Sequence, residues 1–311
     1  MRAVVDIGSN SIKYLVGEVQ RGVPVVQQGR SWVTRLGKGL EKTGVLDPES
    51  VALTVEALRS MQQELTKIPN LQPAQVVATS AVRDCKNPEA IQSAVQEIFG
   101  VPLRILTGLE EAQYSAEGAL TAGHIHYGTR RCCTIDVGGA STEVGIAEPE
   151  FRAVSFQAGA VRCHERLGLQ QIPVDDTLWA QAQRGMEEFF PLTVWKDLQM
   201  HIPSGTPAVA VGGSLLAAAR LAGASPTHTA QGASLGYSIS VAQLEAFNDR
   251  FRKLSLEERS KHPGLDKGRA DILCAGVLCL LIPLKRLGLK EVFITEWGLR
   301  HGLLLSSKSN K

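Results

Sequence analysis

Two short segments of this chain end an apolar run on an aspartate and follow it at once with small residues: Asp6-Ile7-Gly8-Ser9 and Asp136-Val137-Gly138-Gly139. The residues leading in, Ala3–Asp6 and Cys132–Asp136, read as strands, and those leading out, Ile12–Val19 and Thr142–Ala147, read as returning strands. Glycine lets backbone amides approach an anion closely, and successive turn amides form an anion-binding concavity. An aspartate at the strand end beside such a turn is placed to hold Mg²⁺, a hard ion that favours oxygen ligands and commonly shares substrate phosphates. One such turn would pass for an ordinary hairpin. Two in matching contexts, with a third glycine turn at Gly212-Gly213-Ser214, point to a phosphate-handling site.

The elements that would position these turns alternate between strand and helix. Asp47-Pro48 opens a helix whose Val51, Val55, Leu58, Met61 and Leu65 recur at helical spacing. Gln75–Thr79 reads as a buried strand, Asn87-Pro88 as a capped helix start, and Leu103–Leu106 as a short strand. Thr107-Gly108-Leu109-Glu110 fits a capping box and begins a helix running to about Ala122. The pattern then restarts. Ala208–Val211 leads into the third turn and a helix over Leu215–Leu221, with further capping boxes at Ser240/Gln243 and Ser255/Glu258. A long apolar helix over 270–287, a strand over Glu291–Thr295 and a final helix from Leu299 complete the chain. The expectation is α/β, with domains 1–122 and 123–311 around a common cleft and the last helix packing back on the first domain.

Composition sets outer limits. A chain of 311 residues suits about two domains, and its 44% hydrophobic and 21% charged residues are ordinary for a globular protein. A net charge of +2 gives no reason to expect nucleic acid or a membrane surface as partner. No apolar run is long enough for a membrane span, and the start MRAVVDIGSN lacks the apolar region of a signal peptide, so a cytoplasmic protein is expected. The six cysteines form no C-x-x-C pair and read as reduced, mostly buried thiols. His124-Ile125-His126 has strand-like spacing and reads as an exposed hinge between domains. Lys261, His262, Lys267 and Arg269 form a basic cluster, more often a solvated face than a guide for a polyanion.

The paired turns resemble the two phosphate loops of the actin-like ATPase superfamily, which is built from two ribonuclease-H-like domains. Within it the chain resembles the exopolyphosphatase/guanosine-pentaphosphatase (Ppx/GppA) family in its short two-domain form. The resemblance rests on DIGSNSIKYLV (6–16), RLGKGLEKTG (35–44), ATSAVRD (78–84), TGLEEAQ (107–113), IDVGGASTEVGIAE (135–148), AGAVRCHERL (158–167), VGGS (211–214), RADILCAG (269–276) and LGLKEVFITEWGLRHGLLL (287–305).

That resemblance implies roles. Glu111, the second acid of Gly108-Leu109-Glu110-Glu111-Ala112, is the expected general base. Its neighbour Glu110 occupies the capping position, and Glu111 lies about 100° further round the helix, where capping does not explain it. Asp136 and Glu143 are the expected Mg²⁺ ligands, with Mn²⁺ as an alternative ion. Asp6 is expected across the cleft as a water-mediated or supporting metal contact. Ser9, Asn10, Gly138, Gly139, Ser141 and Thr142 would cradle phosphates, Arg83 would bind substrate as a guanidinium fork, and Gly212, Gly213 and Ser214 would supply the second-domain loop. Ala140 stands where the family has a third glycine, tolerable if its φ is negative. Glu296-Trp297-Gly298 replaces a smaller turn.

The leading expectation is end-on hydrolysis of inorganic polyphosphate to orthophosphate. The alternatives are removal of the 5′ γ-phosphate of guanosine pentaphosphate or another nucleotide, and a non-catalytic polyphosphate or nucleotide sensor. A sugar or acetate kinase is disfavoured, because G-x-E-E-A and RADILCAG are not kinase features. The resemblance also allows a homodimer.

Overall fold

The computed structural model describes residues 1–146, 151–230 and 234–306, without the side chains of Asp197 and Lys267. Ala147 and Glu148, expected in a strand and in a family segment, lie outside the described residues. The chain divides into two compact units: unit 1 is Met1–Gly118 with the stretch from Leu299, and unit 2 is Ala119–Gly298. The division falls inside a helix, a few residues before the boundary expected at 122/123.

Unit 1 is built on a five-stranded sheet of β1 (Arg2–Ile7), β2 (Ser11–Gln20), β3 (Val23–Val33), β4 (Gln75–Ala78) and β5 (Arg104–Ile105), in the order β3-β2-β1-β4-β5. Strands β1, β2 and β3 are antiparallel neighbours, and β4 and β5 continue parallel to β1. All of β1 after Arg2 is buried, as a central strand covered on both faces requires. The helices are α1 (Leu40–Thr43), α2 (Pro48–Leu65), α3 (Ser80–Asp84), α4 (Glu89–Phe99) and α5 (Gly108–Tyr127). Helix α2 starts as the sequence dictates: Pro48 opens it, and the Asp47 carboxylate accepts from the Ser50 amide at 3.0 Å.

Unit 2 repeats the plan. Its strands are β6 (Cys133–Val137), β7 (Thr142–Ile146), β8 (Arg152–Phe156), β9 (Ala208–Val211), β10 (Ser225–His228), β11 (Ser234–Ser240) and β12 (Glu291–Thr295), in the order β10-β11-β12-β9-β6-β7-β8. Read from β8, the run β8-β7-β6-β9-β12 reproduces β3-β2-β1-β4-β5 in order and direction, and β11 and β10 extend it antiparallel. The helices are α6 (Ala160–Arg166), α7 (Asp176–Met186), α8 (Leu192–Met200), α9 (Gly213–Leu221), α10 (Val241–Arg252), α11 (Leu256–Ser260) and α12 (Leu273–Arg286). Both expected capping boxes form, at the starts of α10 and α11. Helix α12 is apolar nearly all round and buried along most of its length, so it serves as the core helix on which α6, α9 and α10 pack.

The last helix, α13 (Leu299–Ser306), belongs to unit 1. Leu299, Leu303 and Leu304 join Val4, Leu15, Val77 and Leu106 in one buried cluster, and the Arg300 guanidinium donates to the Tyr14 carbonyl at 3.0 Å. Gly302 lies so close to the Tyr114 backbone that a Cβ would collide with the carbonyl oxygen, which cannot swing aside as a side chain could.

Several expectations are corrected. His124 and His126 lie in the last turn of α5, which continues to Tyr127 and makes no hinge there. His126 stacks on Phe293 at 4.0 Å between ring centroids and sits 3.2 Å from Ser238 Oγ. Asn87 caps no helix: its side chain pairs with both backbone groups of Leu46, and Pro88 precedes α4. The cysteines are free thiols, all buried except the half-buried Cys85. No helix among the described residues is long and apolar enough to cross a membrane.

The contact at Gly302 predicts that Gly302→Ala destabilises the protein by about 1–3 kcal/mol, the usual cost of overpacking. Urea unfolding measures this as a lower midpoint at unchanged slope.

Candidate active site

The two Asp–Gly turns are hydrogen-bonded alike. In unit 1 the Gly8 amide donates to the Ser11 carbonyl at 3.2 Å, and in unit 2 the Gly138 amide donates to the Ser141 carbonyl at 2.9 Å. Neither glycine has a positive φ. A side chain there would be crowded, since a Cβ would lie 3.0 Å from Ser11 O at Gly8 and 3.2 Å from Ser141 O at Gly138. Ala140 likewise avoids positive φ, which explains why alanine is accepted there. Among the described residues, no hydrogen bond of the chain engages the amides of Ser9 and Asn10 or of Gly139 and Ala140. Paired turn amides with no internal acceptor are chemically able to receive an oxyanion.

The strands flanking the turns carry the difference between the units. In unit 1, Asp6 stands directly opposite Lys13 across β1 and β2. In unit 2, seven residues on from the turn's aspartate as before, Asp136 stands directly opposite Glu143 across β6 and β7. Directly opposed residues share a face of the sheet, and like charges so placed repel. Glu143 is 4% exposed and cannot escape to water, and its Oε1 accepts from Ser155 Oγ at 2.7 Å on the next strand. A buried carboxylate fixed opposite another carboxylate fits a divalent cation. Among the described residues no group of three or more His, Cys, Asp or Glu side chains converges, so an ion here would draw its remaining ligands from substrate or water.

Asp6 is buried, and burial pushes its carboxyl above the ordinary value of 3.8, against the opposing pull of Lys13 and Arg300. Its Oδ1 has no hydrogen-bond partner among the described residues, nor have Asn10 Nδ2 and Thr34 Oγ1 in unit 1 or Ser141 Oγ in unit 2. Such atoms cost stability unless a ligand satisfies them. The segment after β3 lies over the first turn. The amides of Thr34 and Arg35 donate to the Asn10 carbonyl, the Gly37 amide donates to the Ser9 carbonyl at 2.7 Å, and Arg35 takes a left-handed φ of 51°.

At the start of α5 the two acids separate as their positions require. Glu110 closes the capping box, accepting from the Thr107 amide at 2.9 Å while its own amide donates to Thr107 Oγ1 at 3.2 Å; these bonds and Arg104 hold its carboxyl below the usual range. Glu111 is buried and turned instead toward Arg83, whose Nη1 donates to Glu111 Oε2 and to the Leu106 carbonyl, both at 2.9 Å. Arg83, expected to grip substrate with its whole fork, thus commits one nitrogen to Glu111. Ser9 Oγ lies 3.1 Å from Ser80 Oγ on the helix that carries Arg83, so Ser9, Ser80, Arg83 and Glu111 form one connected set in unit 1.

In unit 2 the second and third turns meet. Gly212, at φ 151°, approaches the Val137 carbonyl, where a Cβ would be 2.7 Å away. Gly213 lies under the Arg269 guanidinium, and Gly159 packs on the backbone of Gly139 and Ala140. Ser141 and Ser214 are buried, and the buried Thr142 hydroxyl donates to the Ala158 carbonyl. Ser80, Lys13 and Thr34 in unit 1 and Arg269 in unit 2 contact these turns and strands, and the turn pattern alone does not pick them out. Arg269 was grouped with Lys261, His262 and Lys267, yet Lys261 pairs with Glu257 and His262 lies against Phe251, while the Lys267 side chain is outside the described residues. Trp297 is buried and only Glu296 of that pair is exposed.

The chain belongs to the Ppx/GppA phosphatase family, whose model matches residues 15–311. It is 27% identical to exopolyphosphatase 2 of Mycobacterium tuberculosis over 320 residues, covering 98% of this chain and 97% of that protein. It is 29% identical to exopolyphosphatase 1 of the same species over 319 residues, covering 97% and 86%. Among solved structures, the Aquifex aeolicus Ppx/GppA family member superposes with a TM-score of 0.73 at 24% identity over 100% of this chain and 98% of that one. An exopolyphosphatase from Cytophaga hutchinsonii gives 0.84 at 18% identity over 98% and 97%. The fold is that of these Ppx/GppA-family structures, and within it the strand order is repeated in both units.

The state of Asp6 yields a signed prediction. A carboxyl raised by folding costs stability at pH above its ordinary value of 3.8, and the cost disappears below it, where both states are protonated. Asp6→Asn should therefore raise Tm at pH 7, by about 2–4 °C for each kcal/mol recovered. The gain should shrink as the pH falls toward 3.8. Calorimetric scans across pH check both the sign and the trend.

Proposed function

We propose that the chain is a Mg²⁺-dependent exopolyphosphatase that hydrolyses the terminal phosphoanhydride of inorganic polyphosphate and releases orthophosphate. The observation that carries this reading is the opposed acid pair Asp136 and Glu143 beside a turn whose amides have no internal acceptor. The names of the mycobacterial relatives support the choice of substrate.

In this reading Asp136 and Glu143 would hold Mg²⁺. The ion when bound supplies positive charge against the phosphate oxygens, the main need in phosphoryl transfer. The amides of Gly139 and Ala140, with the Ser141 hydroxyl, donate to phosphate oxygens. Ser9 and Asn10 in unit 1 and the turn Gly212-Gly213-Ser214 in unit 2 are further phosphate-binding groups, whereas the Thr142 hydroxyl, expected among them, is spent on the Ala158 carbonyl. Arg83 holds the Glu111 carboxylate in one orientation, and that carboxylate takes a proton from water. The water oxygen bonds to the terminal phosphorus, the bridging P–O bond breaks, and the electron pair leaves on the shortened chain.

Phosphate release with Mg²⁺ from long polyphosphate, tripolyphosphate and guanosine pentaphosphate, compared side by side, tests the proposal. Release from polyphosphate chains is expected, and its absence from all three substrates sinks the reading. Release confined to guanosine pentaphosphate would move the substrate to a nucleotide. Glu111→Gln should lower kcat by about 10²-fold or more with KM little changed, the scale of a lost general base.

A further inference from the structure

Ser80 has no part in the turn pattern and no role in the mechanism above, yet it is the one side chain hydrogen-bonded to the Ser9 hydroxyl among the described residues. The two oxygens are 3.1 Å apart, 71 positions distant in sequence, and the residues are 4% and 3% exposed. A hydroxyl carries one proton and can accept as well as donate. Two hydroxyls joined by one bond hold two protons, and the shared bond uses only one. Among the described residues no other hydrogen bond engages either hydroxyl, so the second proton has no acceptor inside the chain. Burial also withholds bulk water from it. Around Ser9 stand donors in the same condition: the Ser9 and Asn10 amides and Asn10 Nδ2. What is missing is an acceptor, and an oxyanion is one.

We propose that Ser80 is a positioning residue for phosphate binding: it donates to Ser9 Oγ and so turns the Ser9 proton onto a phosphate oxygen. The inference rests on the phosphate reading of this turn. A hydroxyl that accepts one hydrogen bond donates a stronger one, so Ser80 both orients and strengthens the Ser9 contact. Its place on α3, three residues before Arg83, makes the same short helix set the Ser9 proton and, through Arg83, the Glu111 carboxylate.

The test is a double-mutant cycle on the full chain with Ser9→Ala, Ser80→Ala and both together. It is read by KM and kcat on polyphosphate and by Tm. Each single variant should raise KM roughly tenfold, the worth of one hydrogen bond to a charged group, with kcat within about twofold. The double variant should be no worse in KM than Ser9→Ala alone, because Ser80 acts through Ser9. Ser80→Thr, which keeps the hydroxyl, should restore KM. Additive effects on KM, or a lowered Tm with KM unchanged in Ser80→Ala, overturn the proposal. If the wild-type chain releases no phosphate, the hydrolase reading fails by itself, and calorimetric binding of tripolyphosphate carries the same cycle. Coupled losses of affinity there uphold the role of Ser80, while uncoupled losses or no binding refute it.

Discussion

Two carboxylates held opposite each other on adjacent strands are the constraint around which unit 2 is organised. Asp136 and Glu143 cannot part, because β6 and β7 pair them in register, and Glu143 cannot turn to solvent, because it is buried and anchored to Ser155. Strand pairing alone would select against this arrangement. Its counterpart in unit 1 shows the neutral solution to the same geometry, with Lys13 opposite Asp6 at the identical spacing. A single change of sign at one position of a repeated turn thus separates an acid opposite an acid from an acid opposite a lysine.

The rest of the machinery follows from keeping those turns tight. At Gly8 and Gly138 a nearby carbonyl, not backbone conformation, crowds any side chain, and Gly159 lets α6 start against the second turn. Among the described residues the turn amides have no acceptor, and Asp6, Asn10, Thr34 and Ser141 each carry a buried polar atom unsatisfied. These are deficits a ligand removes, so stability and function compete at the same residues. In unit 1 the last helix completes the packing: α13 fills the apolar side of β1 and β2 while Gly302 allows it to lie against the backbone of α5, the helix that carries Glu111 in its first turn.

Much of this was legible in the sequence where local chemistry decides. Asp47-Pro48, Thr107/Glu110 and Ser240/Gln243 each carry their own cap, and those helices begin where the caps stand. The repeated Asp–Gly turn was legible because the spacing of glycine and acid is itself the signal. Strand β3 was not, since seven of its eleven residues are exposed and it shows no buried alternation. Nor were β10 and β11: β11 is recruited to the sheet by pairing with β12, and β10 by pairing with β11. His124 and His126 misled because two residues two apart fit a strand, while the helix carrying them is set by its start at Thr107. Ser80 and Lys13 were hidden for a deeper reason: their meaning lies in the partner each meets, and only the folded chain names it.

The central claim, that the opposed acids of unit 2 are built for a divalent cation, is tested most directly by Tm as a function of Mg²⁺ concentration in the wild-type chain and in Glu143→Gln. The amide keeps an oxygen for Ser155 while removing the repulsion. Tm of the wild type should rise with Mg²⁺, as binding to the folded state requires. The variant should be the more stable of the two without metal and indifferent to its addition. A wild type that ignores Mg²⁺, or a variant that is less stable without metal and still responds to the ion, would contradict the account.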